Sequence, residues 1–138
     1  MVTGGANIMG NIWIRIALLY LLLAVLLGTV GLVTQWGPVL MLFAAVLLGG
    51  WLAGSLMGLI YLHFMEAADR IIGKFHFWLY QIGLLFFLTG LVLSFLPGVM
   101  PAVSMAVLAI GSSFLALGCL LFVMNLFLEM RWSGLRSS

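Results

Sequence analysis

Long apolar runs dominate the chain, and polar residues collect in the gaps between them. Four runs stand out, roughly Ile12–Val33, Val39–Phe64, Phe75–Leu96 and Ala102–Leu128. A bilayer core of about 30 Å takes ~20 helical residues to cross, and each run is long enough. Apolar residues follow one another without alternating, which argues against the period-two pattern of a membrane β-barrel. T-Q-W-G-P at Thr34–Pro38 closes the first run, and P-G-V-M-P at Pro97–Pro101 closes the third. Proline cannot continue a helix and glycine accepts turn dihedrals, so both segments read as tight connections. The first run exceeds the ~7–15 apolar residues of a secretory signal, and no A-x-A-like cleavage site follows it. The pattern predicts an all-α membrane protein, a single four-transmembrane-helix bundle over residues 1–138.

Composition strengthens this reading. Hydrophobic residues make up 66% of the chain and charged residues 6%, with mean hydropathy +1.36. A soluble domain needs roughly 25% charged residues to cover its surface, so the partner of this exterior is the lipid bilayer. The net charge of +2 comes without a basic cluster, which argues against nucleic acid as a partner. Cys119 is the single cysteine, so no internal disulfide or thiol pair can form. With four spans, Arg15, Arg70, Lys74, Arg131 and Arg136 all fall on one side of the membrane. The positive-inside rule then places both termini and the second connection in the cytoplasm. The expected location is a bacterial inner membrane, N-in and C-in. The ends, Met1–Gly10 and Ser133–Ser138, are expected to be mobile.

Small residues recur at helical spacing. Gly50, Gly54 and Gly58 form a tandem of G-x-x-x-G steps in the second run. Ser104, Gly111, Gly118 and Asn125 lie at intervals of seven in the fourth, and His76, Gly83 and Gly90 do so in the third. Ala17, Ala24 and Gly31 make the corresponding stripe in the first. Small residues in register let helix backbones approach closely. Such stripes serve packing within one bundle, a seam between copies, or a slot for a flat cofactor. Gln81 and Asn125 can each hydrogen-bond between helices, which contributes near ~0.6 kcal/mol on average. Trp13, Trp36 and Trp78 fall near predicted helix ends, as an aromatic belt would. Trp51 sits mid-helix, where it can fill space beside the glycines. The nine methionines are dispersed and read as adaptable packing.

Candidate chemistry is confined to Tyr61–Gly83. This stretch holds both histidines, His63 and His76, and Glu66, Asp69, Arg70 and Lys74, half of the eight formally charged residues. The histidines flank the second connection, and a pair of neutral imidazoles can ligate a metal or a haem. No third ligand lies near them in sequence, so no metal site is expected. The plainer reading is interfacial hydrogen bonding, with His76 tying its helix to a neighbour. Glu66, Asp69, Arg70 and Lys74 are expected to form a solvated loop with local ion pairs. Glu129 and Arg131 are expected at the interface where the fourth run ends. There is no Ser-His-Asp arrangement, phosphate loop or metal motif. No carboxylate lies in the apolar body of a helix, which argues against transport coupled to an intramembrane acid.

K-F-H-F-W-L-Y-Q-I-G at Lys74–Gly83 resembles a K-x-H-F-W-L-x-x-x-G element of the haem-copper oxidase subunit I superfamily, in particular its short stand-alone four-helix members. Weaker likeness runs through Ala17–Gly28, Leu48-Gly49-Gly50-Trp51 and Gly58-Leu59-Ile60-Tyr61. The resemblance implies four spans with cytoplasmic ends. It also implies a histidine pair before the Leu-Gly-Trp step, where this chain has Phe43 and Ala45. Oxygen reduction in that superfamily depends on histidine-ligated haem and copper, and the histidine matching His76 is not a metal ligand there. The expectation is therefore a non-catalytic protein without a cofactor of its own. It would be a structural or accessory subunit of an oxidase-type respiratory complex, or a homo-oligomer. Its contacts would run through Gly50, Gly54, Gly58, Gly83, Gly90, Gly111, Gly118, Gln81 and Asn125. The alternative is a haem b-binding electron-transfer or gas-sensing protein using His63 and His76. A small oligomeric transporter is a third reading.

Overall fold

A computed structural model describes the backbone of residues 6–136 and the side chains of residues 8–131. Helix α1 spans Ala6–Thr34. The second membrane-length segment comprises α2 (Gly37–Ala45), a π-helical segment (Val46–Leu52) and α3 (Ala53–His63). A short α4 (Met65–Asp69) leads to α5 (Ile71–Phe95) and α6 (Pro101–Arg136). Among the described residues, four stretches are long and apolar enough to cross a membrane: Ile8–Thr34, Gly37–His63, Ile71–Phe95 and Pro101–Arg131. Of the two ends, helix covers residues 6–10 and 133–136. Residues 1–5 and 137–138 lie outside the described residues, as do the side chains of residues 1–7 and of residues 132–138, Arg136 among them.

The connections follow from their residues. Gln35 adopts a left-handed backbone at φ 54° and ends α1. Pro38 then sits in the first turn of α2, where its missing N–H has no helical partner to lose. Gly98, at φ 87°, turns the chain between α5 and α6. Arg70 is extended at φ −63°, ψ 151°, and separates α4 from α5.

The helices pair as two antiparallel hairpins. In the first, Gly58, Gly54, Gly50 and Gly31 face Trp13/Ile14, Ala17, Tyr20 and Leu40 in turn, and Gly28 faces Phe43. In the second, Gly118 faces Tyr80, Gly83 faces Phe114 and Leu115, Gly111 faces Phe87, and Gly90 faces Leu108. The glycine stripes therefore lie inside the chain, between helices of the same hairpin. The π-helical segment coincides with the Gly49-Gly50 step, where Gly50 packs directly on the Tyr20 ring. π-turns widen a helix locally and alter its carbonyl pairing.

The core lies between the hairpins, towards the end that carries Phe64–Arg70, here the loop end. It comprises Trp13, Met57, Tyr61, Ala67, Ala68, Phe77, Tyr80 and Leu84. Trp13 is 0% exposed, so it is a core residue and not part of an aromatic belt. The sequence placed it near a helix end, but α1 starts six residues before the predicted Ile12 and carries Trp13 into the bundle. Trp36 and Trp78 do face outward, and Trp51 is half-buried.

Candidate functional site

His76 stands at the centre of the joint between hairpins, 0% exposed. Its ring stacks on Trp13 of α1, with centroids 5.3 Å apart and planes 22° apart. Phe122 of α6 lies 5.1 Å away. Tyr61 of α3 and Tyr80 of α5 close the remaining sides, at 5.9 and 6.1 Å. Four elements thus meet around one imidazole. Aromatic side chains suit this place because each ring has an apolar body and offset or edge contacts add ~0.5–1.5 kcal/mol per pair. His76 Nδ1 and the Tyr61 hydroxyl are 2.9 Å apart and share a hydrogen bond. Nε2 of His76 and Nε1 of Trp13 are both buried without a protein partner.

Further polar links surround this centre. The Tyr80 hydroxyl donates to the carbonyl of Gly49, within the π-helical segment, at 2.8 Å. The Tyr20 hydroxyl donates to Gln81 Oε1 at 3.1 Å and joins α1 to α5. Asn125 Nδ2 donates to the carbonyl of Ala67 at 2.7 Å and ties α6 to α4. Arg70 Nη2 donates to Glu129 Oε2 at 2.6 Å. Arg70 therefore pairs across the fold and not locally within its loop. Glu129 is buried rather than lying at the open interface. Taken together, Tyr20, Arg70, Tyr80 and Asn125 each connect elements far apart in sequence.

The two histidines have different surroundings. His63 is exposed at the end of α3, its ring edge-on to Phe64 at 5.0 Å. His76 is enclosed. A haem iron would bind a ring nitrogen in the imidazole plane; here Nδ1 is taken by the Tyr61 hydroxyl and Nε2 is buried. Among the described residues no group of three or more His, Cys, Asp or Glu side chains could hold a metal ion. Gly50, Gly54, Gly58, Gly83, Gly90, Gly111 and Gly118 line helix–helix contacts.

Sequence reading singled out His76, Gln81 and Asn125 but not Trp13, Tyr61, Tyr80 and Phe122 as their neighbours. The two tyrosines carried a usable signal, since a hydroxyl inside an apolar run needs a buried acceptor. Phe122 carried none, one phenylalanine among ten. The histidine of the Lys74–Gly83 element forms the inter-hairpin joint. Comparison with family models, curated proteins and solved structures finds no match to this chain.

Proposed function

We propose that this chain is a non-catalytic structural subunit of a membrane assembly, built to present rigid apolar faces to neighbours. The observation that carries this reading is the use of the polar side chains within the spans. His76, Tyr61, Tyr80, Tyr20, Gln81 and Asn125 all bond across helices, and His76 and Asn125 are fully buried. A substrate-handling site needs polar groups that converge on a reachable space; here they converge on one another. Outside, α5 carries Ile71, Phe75, Trp78, Ile82 and Leu85 along one exposed stripe. The positive-inside rule supports a cytoplasmic loop end, because Arg15, Lys74 and Arg131 gather there. The Lys74–Gly83 resemblance makes an oxidase-type respiratory complex in a bacterial inner membrane the first assembly to test, and a homo-oligomer the second.

The test is gentle purification of the tagged chain from native membranes, with sizing and an absorption spectrum of the product. A defined larger complex or a defined homo-oligomer is expected, with Trp78→Ala weakening it while helical content stays unchanged. A monomer under every mild condition would overturn the proposal. So would a Soret band that disappears in His76→Ala or His63→Ala, since that outcome belongs to the haem reading.

A further inference from the structure

We infer that the outer face of α6 at the loop end binds one anionic phospholipid. An open groove of about 400 Å³ lies there, lined by Met124, Phe127, Leu128 and Arg131. This is within the ~300–1,000 Å³ range of small-molecule sites. The four residues are spaced i, i+3, i+4 and i+7, so they form one stripe of the helix. Three of them are apolar, and the fourth is an exposed guanidinium about one turn further along the helix. The order along the helix matches the order within a lipid: acyl chain on Met124, Phe127 and Leu128, headgroup phosphate on Arg131.

Among the described residues no carboxylate neutralises the charge at this place. Glu129 lies two residues earlier and is turned to the opposite face, into its ion pair with Arg70. Among the described residues, Arg131 joins no ion pair. A guanidinium presents paired N–H donors in the geometry that a phosphate accepts. A free phosphate would leave the apolar floor unused, and a neutral lipid would leave the guanidinium unneutralised. Arg15 and Lys74 are exposed at the same end and add to the attraction for an anionic leaflet. They do not line this groove, so they draw such lipids near without seating one in it.

Native mass spectrometry of the intact chain, titrated with phosphatidylglycerol or phosphatidylcholine, tests this. One phosphatidylglycerol should be retained about fivefold better than phosphatidylcholine, the effect of one basic side chain at an anionic surface. Arg131→Gln should abolish that preference with helical content unchanged. Lys74→Gln should leave it in place, and Phe127→Ala should weaken retention of both lipids. Equal retention by the native chain means a non-selective lipid annulus and overturns the inference. Equal loss in Lys74→Gln and Arg131→Gln means a diffuse surface potential and does the same. A second copy of the chain that shields Arg131 from solvent labelling at every lipid concentration also overturns it.

Discussion

Near the loop end, large side chains fill the space between the two hairpins; at the opposite end small residues are buried, and the glycine contacts within each hairpin run through both halves, from Gly58 and Gly118 to Gly31 and Gly90. The first half buries Trp13, Tyr61, His76, Phe77, Tyr80 and Asn125. The second buries Ala24, Gly28, Gly31, Val39, Gly90, Ser104 and Gly111, all small or β-branched. Among the described residues, the side-chain hydrogen bonds between hairpins lie in the loop half or at mid-depth. Lipid is as apolar as leucine, so helices in a bilayer gain little from hiding hydrocarbon. What remains is close packing and hydrogen bonding; the loop half uses both, and the opposite half relies on close packing within each hairpin. Glycine contact makes each hairpin; aromatic and polar contact joins the hairpins.

The largest effect should come from Trp13→Ala. Trp13 touches His76, Phe77 and Tyr80 and has no exposed surface. Truncation of a buried aromatic costs about 3–5 kcal/mol in soluble cores. About 3 kcal/mol is expected here, because lost packing remains while the water-transfer part is small in lipid. Thermal unfolding in detergent, followed by circular dichroism, measures it. If the comparison holds, the hairpins separate while each stays helical, so the loss is in tertiary contact and not in helix content. An unchanged midpoint would show that this joint does not hold the hairpins together.

Gly111→Ala should follow, and it probes the other half. A Cβ on Gly111 would collide with the backbone nitrogen of Phe87 and lie 2.9 Å from the carbonyl oxygen of Gly83. Backbone cannot rotate aside as a side chain can, so α5 and α6 must part. Overpacking costs about 1–3 kcal/mol, and the better helix propensity of alanine returns up to ~1 kcal/mol. A net loss of about 2 kcal/mol is expected by the same measurement. Disulfide trapping between α5 and α6 would show reduced yield, whereas trapping between the hairpins would change little.

Glu129→Gln tests the edge of the joint. It leaves Arg70 with a neutral acceptor in a site where its side chain is only 27% exposed. Removing one member of a buried pair costs about 3–5 kcal/mol, and partial exposure of Arg70 reduces this to about 1–2 kcal/mol. Adding Arg70→Met should restore part of the loss, because the unpaired charge is then gone. Failure of the double variant to recover would mean that the pair is not what stabilises this edge.

These expectations also show how much of the molecule was readable from residues alone. The spans were legible because a bilayer demands long apolar runs, and their ends because Pro38, Gly98 and Pro101 cannot continue a helix. Gly54 and Gly111 were legible as packing positions, but not their partners, since spacing gives a helix face and not what meets it. His76, Gln81 and Asn125 stood out as polar groups in apolar surroundings. Arg70 and Glu129 are 59 residues apart, and no local pattern connects them. Trp13 was misplaced because proximity to a run's edge is a weak guide when the helix extends past it. The π-helical segment left no mark beyond the Gly49-Gly50 pair, since its geometry depends on Tyr20 and Tyr80 arriving from other helices.

Gly54→Ala should have the smallest effect, with the opposite sign to Gly111→Ala. Its added Cβ would meet Ala17 Cβ at 3.4 Å and nothing nearer, which is ordinary contact. Alanine then gains up to ~1 kcal/mol in helix propensity over glycine, and a small methyl contact besides. The chain should be unchanged or slightly more stable, by less than about 1 kcal/mol. Gly54 belongs to the tandem G-x-x-x-G that looks in sequence like the most demanding close approach of all. Yet Ala17 opposite it is itself small, and two small residues leave a margin that Gly111, set against the backbone of Phe87, does not have. Gly54→Leu marks where the margin ends, because its branched side chain cannot fit beside Trp13 and Ala17. If Gly54→Ala destabilises as much as Gly111→Ala, α1 and α3 sit closer than described, and glycine spacing alone would suffice to find the tight contacts.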